Sequence, residues 1–203
     1  MNLTVVTPTI GRETLRDLVD SAAGTKWLEQ DQWFVIGDTV RELPEWVEPY
    51  VQSLGHPFLW ATEADATSCA GNAQRNKAIE LAHHGNYLVW LDDNDTLTKG
   101  ALNIVRSSLP PVPGPVQFRV TWSGVHRGLS DLKKFPMTYP NPDRVSMEEA
   151  GGGQQFVTPN LPGLTPRWLH IGSSDYDFIR DTLLLYGGPH ALKQVDYLIA
   201  HTT

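Results

Sequence analysis

Cysteine is almost missing from this chain. Cys69 stands alone, so no internal disulfide can form, and the fold has to be held by its core. One free thiol suits a reducing, cytoplasmic compartment. Long apolar runs are missing too: no stretch approaches the roughly 18 consecutive apolar residues of a membrane span. The opening Met1-Asn2-Leu3-Thr4-Val5-Val6 lacks the basic segment and apolar run that mark a signal peptide. Positive charge is scarce, with 16 Lys and Arg against 23 Asp and Glu and a net charge of −7. That balance opposes nonspecific attachment to nucleic acid or to an anionic membrane, but it leaves room for a phosphate-bearing small ligand in a local site. Internal repeats and low-complexity tracts are absent. What remains is 203 residues, 40% of them hydrophobic, enough for one domain with a sizeable core.

The first half alternates strand and helix signals. Leu3 to Thr7 is a β-branched run expected to stop at Pro8. Leu15, Leu18, Val19 and Ala22 then fall on one helical face, closed by Gly24. Trp33 to Ile36 reads as a strand ending at Gly37-Asp38, Pro44 to Leu54 as a helix and Phe58 to Ala61 as a strand. Gly71 to His84 reads as a helix with Gly85 as its stop, and Tyr87 to Leu91 as a buried strand. Thr98 is expected to cap a helix running to Leu109, before Pro110-Pro111. Strands alternating with helices of this length predict an α/β fold with a mainly parallel sheet and helices on both faces. Ligands of such sheets bind beyond the carboxyl ends of the strands. Thr7-Pro8-Thr9, Asp38, Glu63-Ala64-Asp65 and Asp92 to Asp95 all follow apolar runs.

The second half differs. Prolines and glycines are dense from Pro110 to Pro166, and Val116 to Trp122 alternates as a strand does. Gly151-Gly152-Gly153, running on to Gln155, suggests a close-approach loop on an acceptor side. A helix is expected from Ser174 to Tyr186 and a strand from Val195 to Ile199. Residues 1–109 read as a nucleotide-binding half and 110–203 as an acceptor-binding half of the same domain.

Asp92, Asp93 and Asp95 crowd the end of a strand reading Tyr-Leu-Val-Trp-Leu. Carboxylates this close repel one another unless a cation or ordered donors compensate them. Hard oxygen ligands favour Mg²⁺ or Mn²⁺, and Mg²⁺ is usually held by one or two carboxylates together with substrate phosphates. An acidic turn leading into the next helix is the other reading of the same residues.

Leu91-Asp92-Asp93-Asn94-Asp95 resembles the "LDxDD" segment of family 2 glycosyltransferases, the strand-end DxD motif of the GT-A fold. The resemblance extends to Gly71-Asn72-Ala73-Gln74-Arg75-Asn76, which is similar to the A-R-N sequence on the preceding helix. It also takes in Val6-Thr7-Pro8-Thr9 at the first strand, Ile36-Gly37-Asp38 at the second, and Ser173-Ser174-Asp175-Tyr176-Asp177 at a late helix. It implies a Rossmann-like GT-A domain and a metal-dependent glycosyltransferase that moves a sugar from a nucleoside diphosphate, a UDP-sugar by preference, to an acceptor hydroxyl with inversion. It implies Mn²⁺ or Mg²⁺ as cofactor. The acceptor could be a glycan, a protein or a small molecule, with the acidic charge arguing against nucleic acid. In the family's usual register the central acid of the motif falls on Asn94, leaving Asp92 and Asp95; shifting by one gives Asp93 and Asp95 as the metal pair, and both registers stay open. His201, and less directly His170, could add a ligand.

Asn72, Arg75 and Asn76 share one helical face, which by the resemblance borders the nucleotide, with Arg75 near the diphosphate or the acids. Asp92 and Asp93 join that donor site. Asp38 would accept hydrogen bonds from a base such as uracil. Thr7, Pro8, Thr9 and Arg12 are placed to hold the nucleoside, with Arg12 reaching phosphate. Asp175 is the candidate catalytic base for the acceptor hydroxyl, although Ser174 and Asp177 also fit a capping box. Trp122, Trp168 and Tyr176 are either sugar-stacking or core residues. Two other functions stay open: a nucleotidyltransferase, against which Thr9-Ile10-Gly11-Arg12 offers only one glycine and one arginine as a phosphate loop, and a non-catalytic nucleotide-sugar or glycan-binding module, kept open by Asn94 and Ser174.

Overall fold

The computed structural model describes residues 1–38, 42–55, 58–61, 71–123, 132–134, 156–169, 174–187 and 191–201. In chain order the elements are β1 (Leu3–Thr9), α1 (Thr14–Ala23), β2 (Gln32–Asp38), α2 (Val47–Ser53), β3 (Phe58–Ala61), α3 (Asn72–Leu81) and β4 (Tyr87–Trp90). There follow β5 (Thr96–Leu97), α4 (Ala101–Ser108), β6 (Val116–Ser123), β7 (Leu132–Lys134), β8 (Phe156–Pro159), α5 (Ser174–Tyr186) and β9 (Ala191–His201). The strands join one mixed sheet in the order β3-β2-β1-β4-β8-β6-β9-β5, with β7 on β6. The first four run parallel, β8 is antiparallel to both β4 and β6, β9 is parallel to β6, and β5 is antiparallel to β9. Both halves of the sequence therefore contribute to the same sheet.

The period-2 alternation of the strands splits the core between two faces. Leu3, Val5, Trp33, Val35, Tyr87 and Val89 face Leu15, Leu18 and Ala22 of α1, Val47 and Val51 of α2, and Leu102 and Val105 of α4. Val6, Phe34, Ile36, Leu88 and Trp90 turn to the other side, against Ala73, Ala78 and Ile79 of α3, Trp168, and Phe178 of α5. Helices cover both faces, as the alternation of elements predicts. No helix among the described residues is long and apolar enough to cross a membrane.

Three local expectations need correction. Pro8 does not end β1, which continues to Thr9 with Pro8 opposite Ile36 of β2. Pairing with β4 stops at Val6, so from there β1 has one neighbour, and the N–H that proline lacks is not needed on the open side. Thr98 is not the helix cap: Gly100, at φ 72°, precedes α4, and Thr98 instead accepts the Ala101 N–H through its carbonyl at 3.0 Å. Gly85 does not close α3, which ends with Ala82 as its C-cap; Gly85 serves the turn into β4 and donates its N–H to the carbonyl of Asn160 at 2.9 Å.

The sheet order creates a switch point. From β1 the chain winds outward through β2 to β3, then returns by α3 to β4 on the opposite flank of β1. The carboxyl ends of β1 and β4 therefore lie side by side at the switch point, the kind of crevice in which open α/β sheets bind ligands.

Candidate functional site

Three acids and two arginines meet at this crevice. Asp93, on the turn after β4, is almost wholly buried, and its carboxylate is held by the loop after β1. Oδ2 accepts the Thr9 hydroxyl at 2.8 Å and the Ile10 N–H at 3.1 Å, and Oδ1 accepts Nη1 of Arg12 at 2.7 Å. The Thr9 hydroxyl oxygen in turn accepts the Gly11 N–H at 2.9 Å, fixing the loop that carries Arg12. The Arg12 side chain is itself 38% exposed, and a guanidinium carries five N–H donors in all.

Asp92 is paired with the buried guanidinium of Arg75 and keeps a third of its side chain exposed. It is the member of the acid turn that faces solvent most. Asp95 is buried. Its Oδ2 accepts the Asp92 N–H at 2.7 Å, and its own N–H donates to the Asp92 carbonyl at 3.0 Å, closing the turn on itself. Burial, with the charge of Asp92 adding, pushes the Asp95 carboxyl well above the ordinary carboxylate range. Asn94 lies buried on the same turn. Of the acids named as the metal pair, Asp93 gives both carboxylate oxygens and Asp95 one of its two to the chain's own donors. Among the described residues no group of three or more His, Cys, Asp and Glu side chains is arranged to hold a metal.

Helix α3 backs the turn. Gly71 precedes it at φ 88°, and a Cβ there would lie 2.6 Å from Cβ of Pro8. Only glycine lets the start of α3 close this tightly on the end of β1. The shared face of Asn72, Arg75 and Asn76 exists, but it is covered. Nδ2 of Asn72 donates to the Leu169 carbonyl at 2.7 Å and Oδ1 accepts from Arg75 at 3.2 Å. Asn76 grips Trp168 twice, donating to its carbonyl at 2.8 Å and accepting its N–H at 2.9 Å. The two amides therefore anchor residues 167–169, while Arg75 alone of the three turns to the acids. The Thr7 hydroxyl is also occupied inside the fold, where it accepts Nε1 of Trp33 at 3.1 Å.

Asp175 stands half-buried in the first turn of α5. Asp177 is buried and pairs with Arg180 at 2.8 Å. Trp168 is a core residue, and Tyr176 packs half-buried against Phe156, Ile179 and Leu183. Asp38 ends β2 in register with Ala61, and His201 ends β9 opposite Ser123. The side chains of Asp38, Trp122 and His201 lie outside the described residues, as do Glu63, Asp65, Gly151 to Gln155 and His170. The sequence pattern did not single out the 167–169 segment as a partner of α3. Its only advance signal is a pair of asparagines one helical turn apart, and that spacing does not say what they face.

This sheet order, with the acidic turn at the switch point, is the GT-A fold that the family resemblance implies. Solved structures bear this out. The chain matches S. aureus TarS residues 1–349 in complex with UDP over 100% of its own length, at 14% identity and a TM-score of 0.69. The same protein with UDP-GlcNAc gives 100% coverage, 14% identity and a TM-score of 0.68. GalNAc-T7 with UDP, GalNAc and Mn²⁺ gives 100% coverage, 16% identity and 0.58. The chain spans 61%, 59% and 44% of these three structures in turn. No protein-family model and no curated protein sequence matches the chain.

Proposed function

We propose that the chain is a glycosyltransferase that takes a sugar from a nucleoside diphosphate, with UDP-sugars first among the donors, and passes it to an acceptor hydroxyl with inversion. One observation carries the reading: the loop after β1 and the turn after β4 are locked together at the switch point by Asp93 with Thr9, Ile10 and Arg12. Two part-exposed side chains, Arg12 paired with Asp93 and Asp92 paired with Arg75, stand at the rim. The occupants of the neighbours support the donor: UDP and UDP-GlcNAc in TarS, and UDP with Mn²⁺ in GalNAc-T7.

In this reading residues 1–109 form the donor half and 110–203 the acceptor half. Arg12 binds phosphate. Asp38, at the end of β2, accepts from the base. Pro8, Thr9, Asp93 and Arg75 shape the pocket, with Arg75 holding Asp92 in place. Thr7, Asn72 and Asn76 support these residues from behind. The donor set fits a Mn²⁺ or Mg²⁺ that is shared with phosphate. Of the acids at 92–95, Asp92 would hold it, since one part-exposed carboxylate together with a diphosphate is an ordinary magnesium environment. His201 is a further candidate ligand. A cation bound there would stabilise the charge gathering on the departing diphosphate.

Asp175 supplies the base. Its carboxylate takes the proton of the acceptor hydroxyl as that oxygen bonds to the anomeric carbon, and the bond from that carbon to the diphosphate oxygen breaks. Position on the first turn of a helix fixes the carboxylate on a rigid element. The test is release of UDP from UDP-sugars in the presence of soluble acceptors. Asp175→Asn should abolish turnover and leave UDP affinity unchanged; turnover equal to wild type would remove Asp175 from the mechanism. A second reading, a non-catalytic nucleotide-sugar-binding module, draws on the neutral Asn94 in the acid turn. It predicts UDP binding with no turnover of any donor.

A further inference from the structure

The acid turn and the base-bearing helix are joined by one short stack of side chains. Arg75, paired with Asp92, lies with its guanidinium carbon 4.6 Å from the centre of the Trp168 ring. Trp168 stacks on Phe178 of α5, with centroids 4.2 Å apart and planes within 9°. Both rings meet Trp90 edge-on, at 5.4 and 5.5 Å, and Trp90 lies two residues before Asp92. Phe178 lies three residues after Asp175, so the two share one side of α5.

We propose that Trp168 is the positioning residue that sets the first turn of α5, and Asp175 with it, in response to what occupies the acid turn. The inference rests on the donor-site reading above. Trp168 is fixed at its backbone, since Asn76 holds both its N–H and its carbonyl. Trp168 as a whole is 1% exposed, so its ring moves only with its packing partners. Asp92 is the acid a ligand meets first. A diphosphate or its cation competes with Arg75 for that carboxylate, and the guanidinium then redistributes among Asn72 and the Trp168 face, the partners it already has. Phe178 feels the same ring. Ligand at the turn and orientation of α5 are therefore linked through one side chain in contact with both.

Hydrogen exchange of the whole chain tests this, with and without UDP and Mn²⁺, on wild type, Trp168→Leu, Trp168→Phe and Phe178→Leu. In wild type, UDP should slow exchange in α3 and also across residues 174–187. In Trp168→Leu, UDP should bind within about threefold of wild type and still protect α3, with the protection of 174–187 gone. Turnover should fall about tenfold or more at unchanged donor KM. Trp168→Phe should restore both. Phe178→Leu should repeat the uncoupling from the helix side, which keeps the test open if Trp168→Leu does not fold. Protection of 174–187 that persists in the leucine variants would overturn the inference, as would a loss of UDP affinity that tracks the loss of turnover. If wild type binds UDP and α5 does not respond, this inference alone falls. If wild type binds no nucleotide, the donor-site reading falls and takes it along.

Discussion

Arg12 donates to Asp93 at 2.7 Å across 81 residues of sequence, and this pair joins the loop after β1 to the turn after β4 at the switch point of the sheet. The same carboxylate takes the Thr9 hydroxyl and the Ile10 N–H. Replacing it with a methyl group leaves these donors without their acceptor, and one of them is buried. An unsatisfied buried donor costs about 1–3 kcal/mol. Asp93→Ala should lower stability by at least that much in a denaturant titration, and should weaken UDP binding through disorder of the Arg12 loop. Unchanged stability would mean that the lock does not hold the loops.

Gly71→Ala tests the approach of α3 to β1. The left-handed backbone at φ 88° costs a non-glycine residue about 1–2 kcal/mol. The added Cβ would also stand 2.6 Å from that of Pro8, so α3 would have to back away from the crevice. The variant should melt at lower temperature, by about 2–4 °C for each kcal/mol lost in a chain of this size, and its UDP affinity should fall. A neutral substitution would show that this closeness is dispensable.

Asp95 makes a prediction with a definite sign. Burial raises its carboxyl above the ordinary value of 3.8, with Asp92 adding to the shift. The folded chain therefore holds this proton more tightly than the unfolded chain. The stability this confers is complete below the unfolded value and is lost as pH rises through the folded one. Asp95→Asn keeps an acceptor for the Asp92 N–H and removes the ionisation. Measured in a chelator, its melting temperature should exceed that of wild type at pH 7.5, and the gap should narrow as pH falls toward 5. A gap that stays constant, or one that favours wild type at pH 7.5, would contradict the assignment.

Much of this architecture is legible in the sequence where a periodic signal meets a strong stop. Leu15, Leu18, Val19 and Ala22 mark α1 by one apolar face ended at Gly24, and the acids after Tyr87–Trp90 stand where an α/β sheet places its ligands. Strands β5, β7 and β8, of two, three and four residues, are too short for a period to show, and β8 sits in a stretch rich in proline and glycine. Helix α3 illustrates a deeper limit. Its apolar residues form no clear stripe, because polar Asn72, Gln74 and Arg75 are buried with Ala73, Ala78 and Ile79. Spacing puts Asn72, Arg75 and Asn76 on one face, but the partner of that face lies more than 90 residues away at Trp168 and Leu169. The assignment of the acids is hidden for a similar reason. Asp92, Asp93 and Asp95 look equivalent in sequence, and only the arrival of Arg12, Thr9 and Arg75 from elsewhere in the chain leaves Asp92 as the exposed member.

The account turns on Asp92 as the acid that meets the donor. Isothermal titration of UDP and GDP, each with and without Mn²⁺, on wild type, Asp92→Asn and Asp95→Asn tests it most directly. The account predicts that wild type binds UDP more tightly with Mn²⁺, that Asp92→Asn loses the metal-dependent part, and that Asp95→Asn retains it. Binding of neither nucleotide, or metal-dependent binding that survives in Asp92→Asn and vanishes in Asp95→Asn, would contradict it.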